Sequence, residues 1–272
     1  MSSKLAEFPS DHTSGYEPLA KRPRPQCYWI VLPAYNEERC LPRLLERIAE
    51  AISIAQLSYK VVIVNDGSTD STGQIATEYS RDLPLIIETH AVNMGLGATL
   101  RDGLLKAVAL AHPDDIVVTM DADNSHNPEL IPRMGRLIRE GNDVVIASRY
   151  QPGSKTRGVP GYRRMLSIVG SLVFRLLLPV HGVRDYTCGF RAYRANALRA
   201  GLERHGHSMF DQQGFQCIVD LLFKLRTLGL IFTEVPMVLR YDLKEGASKM
   251  KVGHTVRASL LLVFKRRFER RF

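Results

Sequence analysis

The sequence predicts an α/β fold: a mostly parallel sheet with helices on both faces. Three observations lead there. Short, largely apolar runs of strand length recur at Cys27 to Leu32, Val61 to Val64, Leu85 to Glu88, Ile116 to Met120 and Asp143 to Ala147. Stretches with apolar residues at helical spacing lie between them. Each run ends in a polar loop rich in Asp, Asn or Gly. Strands that are apolar throughout and alternate with helices belong to parallel sheets buried on both sides.

The elements follow in order. Residues 1 to 26 mix Ser, Pro, Gly and charge without periodicity, ending in Lys21-Arg22-Pro23-Arg24-Pro25, and read as a disordered tail. The domain then runs from 27 to 250. After the first strand, Leu41, Leu44, Leu45, Ile48 and Ile52 predict an amphipathic helix. After the second, a helix is expected over 71 to 80 with Asp70 as its N-cap. Asn93-Met94-Gly95-Leu96-Gly97 opens a third helix, and Pro128 to Glu140 makes a fourth. Beyond Arg149 the pattern loosens. Gln151 to Tyr162 reads as a mobile loop, Arg163 to Leu178 as a helix, Asp185 to Arg191 as a loop, Gln213 to Leu228 as a helix, and Phe232 to Arg240 as one strand. The last stretch, 251 to 272, reads as a basic amphipathic helix: seven Lys or Arg against one Glu, interleaved with Leu and Phe.

Bulk properties narrow the class. A chain of 272 residues can bury a full core. The net charge of +9 suggests an anionic partner, whether lipid, phosphorylated substrate or nucleic acid. No RNA- or DNA-binding module is recognisable, and the positive charge lies mainly in the tails and beyond residue 149, so no nucleic acid is expected. Cys27, Cys40, Cys188 and Cys217 lack metal-ligand spacing and read as reduced thiols of a cytosolic protein. The N-terminus has no apolar signal segment, and no run of about 18 uncharged apolar residues is present to span a bilayer.

The chemistry concentrates at strand ends, where open α/β sheets place their ligands. Asp121 and Asp123 close the fourth run. Two carboxylates so close repel unless a cation or proton lies between them. Beside phosphates, hard oxygen ligands suit Mg²⁺ or Mn²⁺. By itself the pair also fits an acidic turn. Arg149 follows another strand end. In the helix after it, Arg163, Ser167 and Ser171 share one stripe, and Met165, Ile168, Val169, Leu172, Val173 and Leu176 form the opposing face. That arrangement suits a phosphate on a lipid chain, and equally a core helix with a solvated edge.

Six motifs in order carry a resemblance: Pro-x-Tyr-Asn-Glu at 33 to 37, Asp-Gly-Ser-x-Asp at 66 to 70, Asn-x-Gly-x-Gly at 93 to 97, Asp-x-Asp at 121 to 123, Ala-Ser-Arg-Tyr at 147 to 150 and Cys-Gly-Phe-Arg at 188 to 191. The chain resembles the family 2 inverting glycosyltransferases of the GT-A fold, and within them the dolichol- and polyprenyl-phosphate mannosyltransferases, over about residues 28 to 250. The resemblance implies a nucleotide-sugar site at Pro33, Tyr35, Glu37, Asp66, Asp121, Ala122, Asp123, Arg240 and Lys249. It implies metal ligands at Asp121 and Asp123, with Ser125 where relatives often carry Gln as a third. It implies an acceptor-phosphate site at Arg149, Arg163 and Ser167. Asp121, Asp123, Arg149 and Arg163 are thus the expected catalytic set. The implied reaction moves a hexose, mannose from GDP-mannose foremost, to a polyprenyl phosphate on the cytoplasmic face of an anionic membrane. A UDP-sugar donor with a lipid phosphate or saccharide hydroxyl as acceptor is the alternative. Asp185 is a spare carboxylate, expected to pair with Arg184 or Arg191.

Overall fold

In the computed structural model, residues 24–177, 179–243 and 262 are described. Among them, β1 (Cys27–Ala34), β2 (Ser58–Asn65), β3 (Leu85–Thr89), β4 (Ile116–Thr119), β5 (Val144–Ser148), β7 (Arg191–Arg194) and β8 (Phe232–Pro236) form one sheet in the order β3-β2-β1-β4-β7-β5-β8. All its pairings are parallel except those of β7, which runs antiparallel between β4 and β5. A second, two-stranded parallel sheet joins β6 (Lys155–Arg157) to β9 (Val238–Arg240). The helices are α1 (Leu41–Ile54), α2 (Thr72–Tyr79), α3 (Leu96–Leu110), α4 (Ile131–Arg139), α5 (Gly161–Leu177), α6 (Ala195–His205) and α7 (Gln216–Arg226).

The core follows from the runs. Tyr28, Ile30, Val31, Leu32, Val61 to Val64 and Ile116 to Val118 lie on central strands and are fully buried. Helix α1 packs Leu41, Leu44, Leu45, Ile48 and Ile52 against them, all without exposure. Helix α3 comes close to the sheet because Gly103 has no Cβ: one there would stand 2.5 Å from Val31 Cγ1. At the sheet's other end, Asp115 accepts from the Cys27 N–H at 3.0 Å, Trp29 Nε1 at 3.0 Å and the His112 N–H at 2.8 Å. These donors, with Arg24, hold its carboxyl low against the upward push of burial.

Several expectations need correction. Strand β7 and helix α6 replace what was read as loop and unassigned chain. Strand β7 (Arg-Ala-Tyr-Arg) is not a continuous apolar run, so the pattern concealed it. The loop over 151 to 162 contains β6. The strand expected over 232 to 240 is divided at Met237, and its second part leaves the main sheet to pair with β6. The residue at the N-cap of α2 is Ser71. Asp70 acts beside it, accepting from the Thr72 N–H at 3.0 Å. Of the predicted tails, residues 1 to 23 of the first, which was expected to reach 26, and all of 251 to 272 except Leu262 fall outside the described residues.

Candidate active site

Every predicted strand-end loop lies at the same edge of the main sheet, and side chains tie the loops together. Asn36, in the left-handed region at φ 51° that Asn tolerates, accepts from the Thr69 N–H at 2.8 Å, and its own N–H donates to Ser68 Oγ at 3.0 Å. The Glu37 N–H donates to Thr72 Oγ1 at 2.8 Å, and the Glu37 carbonyl receives the Cys40 and Leu41 N–H groups that start α1. Pro33 lies in β1 opposite Val64, and Tyr35 follows it into the loop. The nucleotide-side residues thus sit on a braced turn.

Asp66 is buried and braces a further loop. Its Oδ1 accepts from the Met94 N–H at 2.8 Å and its Oδ2 from the Gly95 N–H at 2.9 Å. His90 Nδ1 lies 2.7 Å from Asp66 Oδ1, and His90 Nε2 lies 3.0 Å from Asp102 Oδ2. The imidazole therefore bridges two carboxylates. No motif in the sequence marks His90. Its signal is position alone, five residues before the Gly95-x-Gly97 helix entry. At Gly97 a Cβ would collide with the Gln212 carbonyl, and the Gly97 N–H donates to the Gln213 carbonyl at 2.7 Å.

Asp121 and Asp123 leave β4 at the centre of this edge. The Asp121 side chain is 40% exposed and Asp123 is buried. Ser125 Oγ donates to Asp123 Oδ1 at 2.5 Å, and the Ser125 N–H reaches the same oxygen at 3.1 Å. Ser125, buried itself, orients Asp123. The Asp121 N–H donates to His126 Nδ1 at 3.1 Å, which places the ring proton on Nε2, 3.8 Å from Asp121 Oδ2. His126 is fixed in turn by stacking on Phe190 at 5.1 Å. Gly189 adjoins this strand end, its carbonyl accepting from Thr119 Oγ1 at 2.7 Å, and a Cβ on it would make ordinary contact with Asp121 Oδ1 at 3.5 Å. Two anionic oxygen donors at a strand end fit a hard divalent cation. No group of three His, Cys, Asp or Glu forms a metal site among the described residues, so water and ligand oxygens would complete the coordination.

Arg149 stands at the end of β5, separated from β4 only by β7. Its Nε donates to Asp185 Oδ2 at 2.8 Å and its Nη2 to Asp185 Oδ1 at 2.7 Å and Thr187 Oγ1 at 2.6 Å. This corrects the expected partner of Asp185. Arg191 is instead fully buried and donates to the Cys188, Ile218 and Tyr186 carbonyls, at 2.8, 2.8 and 2.7 Å. Burial alone would push the Asp185 carboxyl up, but Arg149 holds it below its ordinary value, and Asp185 in turn raises the Arg149 guanidinium. The Arg149 guanidinium lies 5.5 Å from the Tyr150 ring centre, and Tyr150 Oη is 2.8 Å from Ser167 Oγ. Arg149 and Ser167 therefore share one wall.

Helix α5 is oriented opposite to a core helix. Ser171 is buried and donates to the Arg184 carbonyl, while Met165, Leu172 and Leu176 are 61%, 52% and 72% exposed. The hydroxyl stripe faces the protein and the apolar face looks outward. Arg163 lies in the first turns of α5, one turn before Ser167. The Arg240 N–H donates to the Ser125 carbonyl at 2.9 Å, which docks β9 on the Asp123 loop, and its guanidinium pairs with Asp242 at 2.9 Å. Lys249 lies outside the described residues.

The chain is similar to known proteins. Residues 29–202 match the family described as Glycosyl transferase family 2. The chain is 36% identical to the undecaprenyl-phosphate mannosyltransferase of Micrococcus luteus, over 82% of this chain and 87% of that one. It is 32% identical to the polyprenol monophosphomannose synthase of Mycolicibacterium smegmatis, over 92% and 90%. Among solved structures it is similar to glucosyl-3-phosphoglycerate synthase of Mycobacterium tuberculosis, with a TM-score of 0.63 at 21% identity, covering 89% of this chain and 78% of that one. That enzyme was crystallised with Mn²⁺ and UDP, and also with Mg²⁺ and UDP. At that identity the likeness speaks for the GT-A fold.

Proposed function

This chain belongs to glycosyl transferase family 2, and we propose that it moves mannose from GDP-mannose to a polyprenyl phosphate at the cytoplasmic face of a membrane. It is a nucleotide-sugar-dependent glycosyltransferase, and its relatives' names specify mannosyl transfer to a lipid phosphate. What supports the reading is that β4 and β5 both run antiparallel to β7, so Asp121 and Asp123 after β4 and Arg149 after β5, with Ser167 bonded to the adjoining Tyr150, leave the same edge of the sheet.

The chemistry follows from the acceptor. A sugar hydroxyl needs a general base, whereas a lipid phosphate is already anionic at neutral pH. Asp185 is the spare carboxylate on the acceptor side, and it is fully buried and held by Arg149. That supports an acceptor that needs no deprotonation. Asp121 and Asp123 would hold Mg²⁺ or Mn²⁺, which supplies charge neutralisation for the departing nucleoside diphosphate. Arg149, Arg163 and Ser167 would orient the acceptor phosphate so that one of its oxygens bonds to the anomeric carbon as the diphosphate leaves, with inversion. Pro33, Tyr35, Glu37, Ala122, Arg240 and Lys249 would serve the nucleotide sugar. Asp66 would serve it by holding Met94 and Gly95.

A membrane position is supported by the outward apolar face of α5, since an exposed contiguous apolar patch marks an interaction surface. Among the described residues no helix is long and apolar enough to cross a membrane. The surface would be anionic, with the basic segment 251 to 272 adding attraction of roughly 1 kcal/mol per cation near the surface.

The test supplies labelled GDP-mannose or UDP-glucose with polyprenyl phosphate or polyprenol, with Mg²⁺, Mn²⁺ or chelator. Label should enter lipid only with GDP-mannose, polyprenyl phosphate and a divalent ion. Transfer to polyprenol, or preference for UDP-glucose, would overturn the reading.

A further inference from the structure

A cavity of about 900 Å³ opens at the edge of the main sheet, along β8, between the C-terminal ends of α5 and α7 and the turn over 179 to 186. None of the residues proposed for donor, metal or acceptor lines it. Phe232 on its floor pairs with Val144 at the beginning of β5, whereas Arg149 follows the end of that strand.

Three arginines line the cavity: Arg175 from the last turn of α5, Arg226 from the last turn of α7, and Arg184 from the turn. Cations at helix C-termini answer the helix dipole, which accounts for two of them. Arg184 lies on no helix, and convergence on one space is left unexplained by dipoles. Burial pushes the Tyr186 phenol up, and the Val180 N–H, Arg175 and Arg226 oppose it. Glu234 is the one carboxylate in the lining, and its oxygens accept from the Arg184 N–H at 2.7 Å, the Asp185 N–H at 2.6 Å and Gln151 Nε2 at 3.1 Å. The cavity is therefore net cationic.

The walls are built and firm. Gly182, at φ 78°, sits against β8 where a Cβ would strike the Phe232 carbonyl. The Val180 N–H donates to the Tyr186 hydroxyl at 2.9 Å, and Tyr186 stacks on Phe174 at 5.8 Å. The remaining lining is largely apolar, with Val180, Val183, Leu230 and Ile231. Arginines above an apolar floor suit a phosphate group attached to an apolar body. Arg175 adjoins Leu172 and Leu176, the exposed end of the α5 apolar face.

We propose that this cavity seats the headgroup phosphate of an anionic phospholipid, its acyl chains lying along the exposed face of α5. The lipid would be an anchor and not a substrate. This placement rests on the reading of α5 as a membrane-facing helix.

The test measures thermal protection of the full chain by dihexanoyl-phosphatidylglycerol, dihexanoyl-phosphatidylcholine and inorganic phosphate. Three proteins are compared: the parent, R175Q/R184Q/R226Q, and the charge-matched control R43Q/R133Q/R136Q. Phosphatidylglycerol should raise the melting temperature of the parent and control but not of the cavity variant, by mass action on the folded state. Inorganic phosphate should need about tenfold higher concentration, having no apolar body to bury. Mannosyl transfer in detergent should be unchanged in the cavity variant. Equal protection of all three proteins, protection by phosphatidylcholine, or equal potency of inorganic phosphate overturns the proposal. If the glutamine variant does not fold, R175K/R184K/R226K keeps the charge and should retain protection, and its loss together with the single R184Q retaining full protection overturns the site. The lipids are soluble monomers, so protection without vesicle binding would separate the cavity from the membrane reading of α5.

Discussion

Asp185 holds Arg149 through both carboxylate oxygens, and the Arg149 N–H adds a third bond to Oδ2 at 3.0 Å. The carboxylate has no exposure, so removing one member leaves the other charge in a poorly solvated site. Breaking such a pair costs about 3 to 5 kcal/mol, whereas removing both costs less. D185A should lower the urea midpoint strongly, with R149A/D185A recovering part of the loss. A D185A protein as stable as the parent would refute the pairing.

The two carboxylates after β4 should both be required, with Ser125 only assisting. D121A and D123A should abolish divalent-dependent transfer. S125A should keep activity but raise the Mn²⁺ concentration for half-maximal rate about tenfold, because it removes a bond that orients Asp123. A metal titration of S125A that matches the parent would make the Ser125 hydroxyl irrelevant to the ion.

On the proposed function, His90 would act as a positioning residue for the donor side. H90A removes the link between Asp66 and Asp102 and loosens the loop at Met94 and Gly95. A charge-assisted hydrogen bond contributes about 1.5 to 3 kcal/mol, so the donor KM should rise about tenfold or more. The acceptor KM should stay fixed. Equal change in both constants would mean a general loss of structure.

Native thiols should be inert. Burial pushes the Cys188 and Cys217 thiols up to about 12, and all four cysteines are buried. A thiol reagent at pH 8 should label none quickly in the native protein and all four in denaturant. Fast labelling of Cys188 in the native state would contradict its packing.

The α5 face should govern vesicle binding. L172E/L176E places charge on exposed positions, so the melting temperature should barely move. Cosedimentation with anionic vesicles should fall, while GDP-mannose binding is retained. Unchanged cosedimentation would remove α5 from the membrane.

The motifs at 33 to 37, 66 to 70, 93 to 97 and 121 to 123 were legible because parallel strands bury both faces and so must be apolar runs ending in ligand loops. By itself the sequence determined the fold class, the common edge of those loops and the carboxylate pair. Only the tertiary structure decided the partnerships. Strand β7 enters antiparallel with a mixed pattern, so periodicity could not reveal it. Asp185 chose Arg149, 36 residues away, over the nearby Arg184 and Arg191, since a buried carboxylate takes whichever cation the fold brings into bidentate reach. The outward apolar face of α5 had the same cause. Spacing shows that a helix has two faces, but packing of Ser171 and Phe174 against the body decides which one meets the surroundings.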